Sequence, residues 1–75
     1  MDVQRLVAMA NDIAAFFDAE ADPTVAAEGV RTHLTKFWDP RMRREIVAHV
    51  AAGGAGLAPT ARAAVDLIAH SGKPA

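Results

Sequence analysis

The sequence predicts an all-α fold, a small bundle of about four short helices with no sheet. Three observations lead there. Apolar residues recur at three- and four-residue steps along every long segment, the spacing of one buried helical face. Proline stands at the start of three segments, twice directly after an aspartate, at Asp22-Pro23, Asp39-Pro40 and Pro59. Aspartate is a favoured N-cap, and proline at the first helical position loses only an N–H that has no partner there. No segment alternates apolar and polar residues as a half-buried strand would.

The first helix is expected over about 2–20, capped by Asp2. Val3, Leu6, Val7, Ala10, Ile13, Ala14 and Phe17 share one face. Met9 and Phe16 widen it, an arc broad enough to contact more than its own domain. The second helix runs over about 23–37, with Ala26, Gly29, Val30, His33, Leu34 and Phe37 on one side. A glycine inside a helix costs about 1 kcal/mol relative to alanine, so Gly29 is expected where two elements approach closely. The third helix covers about 40–52, with Met42, Ile46, His49 and Val50 inward, and Gly53-Gly54 stops it by accepting left-handed dihedrals. Leu57 anchors the following turn. The fourth helix, about 59–70, turns Ala61, Ala64, Val65 and Ile68 inward, and residues 71–75 form a frayed tail. All 75 residues read as one domain.

Composition excludes much. Cysteine is absent, so no disulfide and no thiolate ligand or nucleophile is available. The formal net charge of −1 gives no global attraction to nucleic acid or to an anionic membrane. No secretion signal and no apolar run of about 20 residues, the length of a membrane span, is seen. Hydrophobic residues make up 52%, but much of this is alanine, so the volume of the core must come from a few larger side chains. A chain this short buries only about 60–65% of its unfolded surface.

Chemistry is mostly missing. His33, His49 and His70 lie far apart and share no i, i+4 pair for a metal. His33 and His49 read as half-buried and hydrogen-bonded, and His70 as a helix C-terminal residue favoured by the macrodipole. Ser71 beside His70 lies in the tail and lacks a shaped pocket for a triad. Gly53-Gly54-Ala55-Gly56 follows a helix rather than a strand and has no Lys-Ser or Lys-Thr, so it reads as a helix stop and not a phosphate cradle. Asp18, Glu20, Asp22 and Glu45 read as solvated surface.

One stretch stands out: Phe37-Trp38-Asp39-Pro40-Arg41-Met42-Arg43-Arg44, which holds the sole Trp. Arg41, Arg43 and Arg44 fall in or just past the first turn of the third helix, the wrong end for cations; each misplacement costs about 0.3–1 kcal/mol when exposed. Something acidic, or an array of backbone carbonyls, is expected to meet them, and a partner protein is the favoured source. Phe37 is expected in the core, Asp39 as a cap and Pro40 as the fixed start of the helix. Trp38 reads equally as a partner contact or as a structural corner, because Trp and Arg are both enriched at interface hot spots.

The same stretch carries a resemblance. The runs Leu6–Phe17 (LVAMANDIAAFF), His33–Arg43 (HLTKFWDPRMR) and Gly54–Pro59 (GAGLAP) resemble the delta subunit of NAD-dependent, molybdenum-containing formate dehydrogenase, over almost the whole chain. The resemblance implies a non-catalytic accessory subunit of a cytoplasmic complex that oxidises formate and reduces NAD. The complex it implies carries molybdenum cofactor, iron–sulfur clusters, FMN and NAD, none of them in this chain; the missing cysteines agree, since thiolates hold iron–sulfur clusters. The implied partner is the catalytic alpha subunit, met through Trp38, Arg41, Met42, Arg43 and Arg44, with Phe37, Asp39 and Pro40 as the structural corner. The implied role is assembly or stability of that subunit. Alternatives are a transient maturation factor aiding molybdenum cofactor insertion and, from the short helix–turn–helix spacing, a small nucleic-acid-binding regulator. No membrane or nucleic-acid partner is expected, and the wide first helix makes homodimerisation of the isolated domain plausible.

Overall fold

The computed structural model describes residues 2–71, which form four helices: α1 (Val3–Phe17), α2 (Pro23–Phe37), α3 (Pro40–Ala51) and α4 (Pro59–Ser71). No strand occurs among the described residues. The aspartates act as the sequence suggests. Asp2 Oδ1 accepts the Gln4 N–H at 3.0 Å, Asp22 Oδ1 that of Thr24 at 2.9 Å, and Asp39 Oδ1 that of Met42 at 2.9 Å. Caps of this kind are worth about 1 kcal/mol each. Helix α1 stops at Phe17 rather than near Glu20. There the chain turns, the Glu20 N–H bonding to the Phe17 carbonyl and the Glu20 carboxylate accepting the Asp22 N–H, local bonds that compete with a further helical turn. Ser71, expected to begin a frayed tail, is instead the last residue of α4; 72–75 lie outside the described residues.

Helix α3 ends in a Schellman motif. The Gly54 N–H bonds to His49 O at 2.9 Å and the Gly53 N–H to Val50 O at 3.0 Å. Gly53 and Gly54 have φ of 125° and 68°, conformations that side chains disfavour, which is why glycines stand there. The loop that follows is held by three side chains from three helices. Asn11 of α1 donates from Nδ2 to Gly56 O at 2.9 Å and accepts the Ala58 N–H on Oδ1 at 2.8 Å. His49 of α3 lies 2.8 Å from Ala55 O through Nε2, and Arg62 of α4 donates to Gly53 O at 3.1 Å.

The core is built around Leu6, Val30, Leu34, Ile46 and Val65, all fully buried, with Ala10, Ala14, Ala61 and Ala64 filling between them. Helix α2 packs most extensively on α4, then on α1, and α3 leans on α4. The alanine faces let helix axes approach while the few large side chains fill the remaining space. Gly29 faces Phe17: a Cβ built on it would stand 2.5 Å from Phe17 Cδ1 and 2.6 Å from Cε1. The close approach expected at Gly29 is therefore real, and it is to an aromatic ring rather than to a helix backbone.

The α2–α3 corner reverses one expectation. Phe37, expected in the core, is 71% exposed, whereas Trp38 is 5% exposed and belongs to the core. The reason is geometric. Trp38 continues the four-residue series Ala26, Val30 and Leu34, all buried, and it leaves the helix in an extended conformation (φ −88°, ψ 139°). Phe37 instead follows His33 on the flank of α2, the two rings 4.7 Å apart.

Candidate partner-binding surface

The arginines of the corner divide into two kinds. Arg43 is spoken for inside the chain. Its guanidinium donates to Thr35 O at 3.2 Å and to Trp38 O at closer range, both at the C-terminal end of α2. A cation belongs at that end, where carbonyls have no helical partner and the macrodipole is negative. The array of carbonyls that could answer a misplaced arginine is thus supplied by the preceding helix, and Arg43, assigned from sequence to a partner, is a structural clasp between α2 and α3.

Arg41 and Arg44 differ. Both are exposed, and neither makes an ion pair or hydrogen bond among the described residues. Lys36, in the last turn of α2, is exposed beside them in sequence and is likewise unpaired. Met42 is half-buried and packs against the core. Asp39 and Pro40 do as expected, the first capping α3 and the second occupying its first position. Arg41, Met42 and Glu45 line a shallow hollow with Arg5, Asp2 and Asp39. Glu45 is half-buried rather than solvated, and its Oε2 is buried without a hydrogen-bond partner among the described residues.

The arc of α1 that the sequence reads as broad enough to reach beyond the domain does leave a ring outside the core. Phe16 is 77% exposed on the flank of α1. The breadth of the apolar arc in α1 was its signal, since a face wider than the core can cover must leave a residue outside.

The other chemically interesting residues are engaged locally. His49 is half-buried on the Ala55 carbonyl, His70 is exposed with Nδ1 2.7 Å from Asp66 O, and His33 is half-buried against Phe37. Asp18 accepts the Thr60 hydroxyl at 2.5 Å. Among the described residues no group of three or more His, Cys, Asp or Glu could hold a metal ion, and no helix is long and apolar enough to cross a membrane.

The fold defines the class: a small four-helix protein among whose described residues two exposed rings and two unpaired arginines stand out on the surface. Its residues 5–65, from the first turn of α1 to Val65 in α4, match the family model of the NADH-dependent formate dehydrogenase delta subunit, FdsD, and the chain belongs to that family. No curated protein and no solved structure matches it. Membership implies association with other subunits of a formate dehydrogenase complex.

Proposed function

We propose that this chain is a non-catalytic accessory subunit that docks on the catalytic, molybdenum-containing alpha subunit of a cytoplasmic formate dehydrogenase and supports its assembly and stability. The observation that carries the reading is the pair Arg41 and Arg44. They sit exposed at the positive end of α3, and neither makes an ion pair or hydrogen bond among the described residues. A local rule broken without compensation inside the chain points to compensation outside it. Carboxylates or carbonyls of the partner would accept charge-assisted hydrogen bonds from these guanidinium groups. Met42 lends apolar contact at their side. Trp38 acts from below: buried at the corner, it fixes where Pro40 starts α3 and so where the arginines point. Arg43 holds the same corner from within. Molybdenum cofactor, iron–sulfur clusters, FMN and NAD are assigned to the other subunits.

The test is purification of formate dehydrogenase from cells with and without this chain, scoring subunit ratio, molybdenum content and formate oxidation. Constant-ratio co-purification, together with loss of complex integrity in its absence, is the expected result. A chain absent from the mature enzyme, whose loss leaves an intact but molybdenum-poor complex, would make it a transient maturation factor instead. Unchanged complex, metal and activity would sink both readings.

A further inference from the structure

Phe16 and Phe37 lie on different helices yet belong to one surface. The Phe16 ring meets Phe17 edge-on, with centroids 5.2 Å apart and planes at 88°. Phe16, Phe17, Ile13 and His33 line one hollow between α1 and α2, together with the exposed Asp12. His33 in turn stacks against Phe37. The result is a continuous aromatic ridge across the two helices, with both end rings more than two-thirds exposed. An apolar patch of this kind on so small a protein marks an interaction site more often than chance.

The ridge has a polarity of charge. Its Phe37 end runs into the α2–α3 corner, where residues 36–45 carry four cations against two carboxylates in a chain that is slightly acidic overall. Lys36, Arg41 and Arg44 are exposed and unpaired there. Of the chain's nine acidic side chains five are engaged locally: Asp2, Asp22 and Asp39 cap helices, Asp18 holds Thr60, and Glu20 takes the Asp22 amide, leaving Asp12, Glu28, Glu45 and Asp66. Membership of a delta-subunit family makes another subunit of the complex the occupant, and the exposed cations at the Phe37 end call for carboxylates on it.

The geometry points to a docking face for one acidic, amphipathic segment of a partner subunit, its apolar side chains lying along the Phe16–Phe37 ridge and its carboxylates against Lys36, Arg41 and Arg44. This rests on the accessory-subunit reading and extends the contact from the corner onto α1. Apolar anchors supply the bulk of such affinity, and complementary charge sets register and association rate.

The experiment co-expresses the tagged full chain, wild type or variant, with the other subunits and measures, across dilution at low and high salt, how much formate dehydrogenase it retains. Phe16→Ser and Phe37→Ser should each weaken binding about tenfold or more, as truncated anchors do. Leu67→Ser, at a moderately exposed residue in a separate hollow between α2 and α4, should leave it within about twofold. The double variant R41E/R44E should weaken binding and flatten its salt dependence. Unchanged melting temperature and unchanged Trp38 emission would show that the variants keep their fold. Binding by wild type that is untouched by the two serine variants would overturn this face and leave the accessory-subunit reading standing. No binding by wild type would overturn both. Charge reversal without effect would refute an acidic partner. A stable dimer of the isolated chain, dissolved by F16S and F37S and competing with the complex, would make the second copy the occupant and overturn the proposal.

Discussion

Replacing Gly29 by alanine sets two physical effects against each other, and their balance reports the packing of α1 on α2. Alanine gains about 1 kcal/mol of helix propensity over glycine. Against that, the new methyl would stand 2.5 and 2.6 Å from two carbons of the Phe17 ring and 3.2 Å from a third, where ordinary contact needs about 3.5–4.0 Å. The ring must retreat by about 1 Å, and overpacking of this kind costs about 1–3 kcal/mol. The net expectation is destabilisation of about 1 kcal/mol, or a melting temperature lower by about 4–8 °C for a domain of this size. The decisive comparison is a double-mutant cycle with Phe17→Leu, whose flexible side chain can yield. In that background Gly29→Ala should stabilise by about its full propensity gain, so the sign reverses. Thermal melts of the four proteins by circular dichroism give the answer. An effect of the same sign and size in both backgrounds would show that the Phe17 ring does not lie over Gly29.

Three further outcomes follow from the same structure. Trp38→Ala should cost about 3–5 kcal/mol and Phe37→Ala less than about 1 kcal/mol, read from urea unfolding, because the first empties the core and the second a solvent-exposed flank. Asn11→Ala should destabilise by about 1–2 kcal/mol by removing two hydrogen bonds, and should speed hydrogen exchange at the Ala58 amide, which Asn11 alone satisfies with its side chain. Arg43→Ala should cost about 1 kcal/mol through the lost clasp on α2, while Arg41→Ala and Arg44→Ala stay within about 0.5 kcal/mol; equal effects at all three positions would contradict the division drawn between them.

What the sequence disclosed, it disclosed through local chemistry. Aspartate followed by proline marks α2 and α3, the glycine pair marks the end of α3, and the three- and four-residue spacing picks out Leu6, Val30, Leu34, Ile46 and Val65. What it hid depends on relations across turns. Trp38 and Phe37 exchange roles because one residue of rotation at a helix end decides which neighbour continues the Leu34 stripe; the series 26, 30, 34, 38 was the available signal. Arg43 looks misplaced when only α3 is considered and well placed once α2 is, since its carbonyl partners lie on the far side of Pro40. Asn11 reaches a loop some 45 residues away, and no local pattern announces such a bond. The proposed partner surface is legible in type, as arginines at the wrong helix end and an overly wide apolar arc. Its extent needed the positions of Phe16, His33 and Phe37 on adjoining helices.

The packing of α2 on α4 governs when this protein can exist as a folded object. Helix α2, which carries Val30 and Leu34, packs most extensively on a helix that begins only at Pro59 and contributes Ala61, Ala64 and Val65 to the core. A growing chain that has released only its first three helices therefore presents these side chains to water, together with the α1 face that carries Leu6. Contacts so distant in sequence close last, after the entropy of the intervening loop has been met. During synthesis the nascent protein is most vulnerable to non-specific capture just before the residues of α4 emerge.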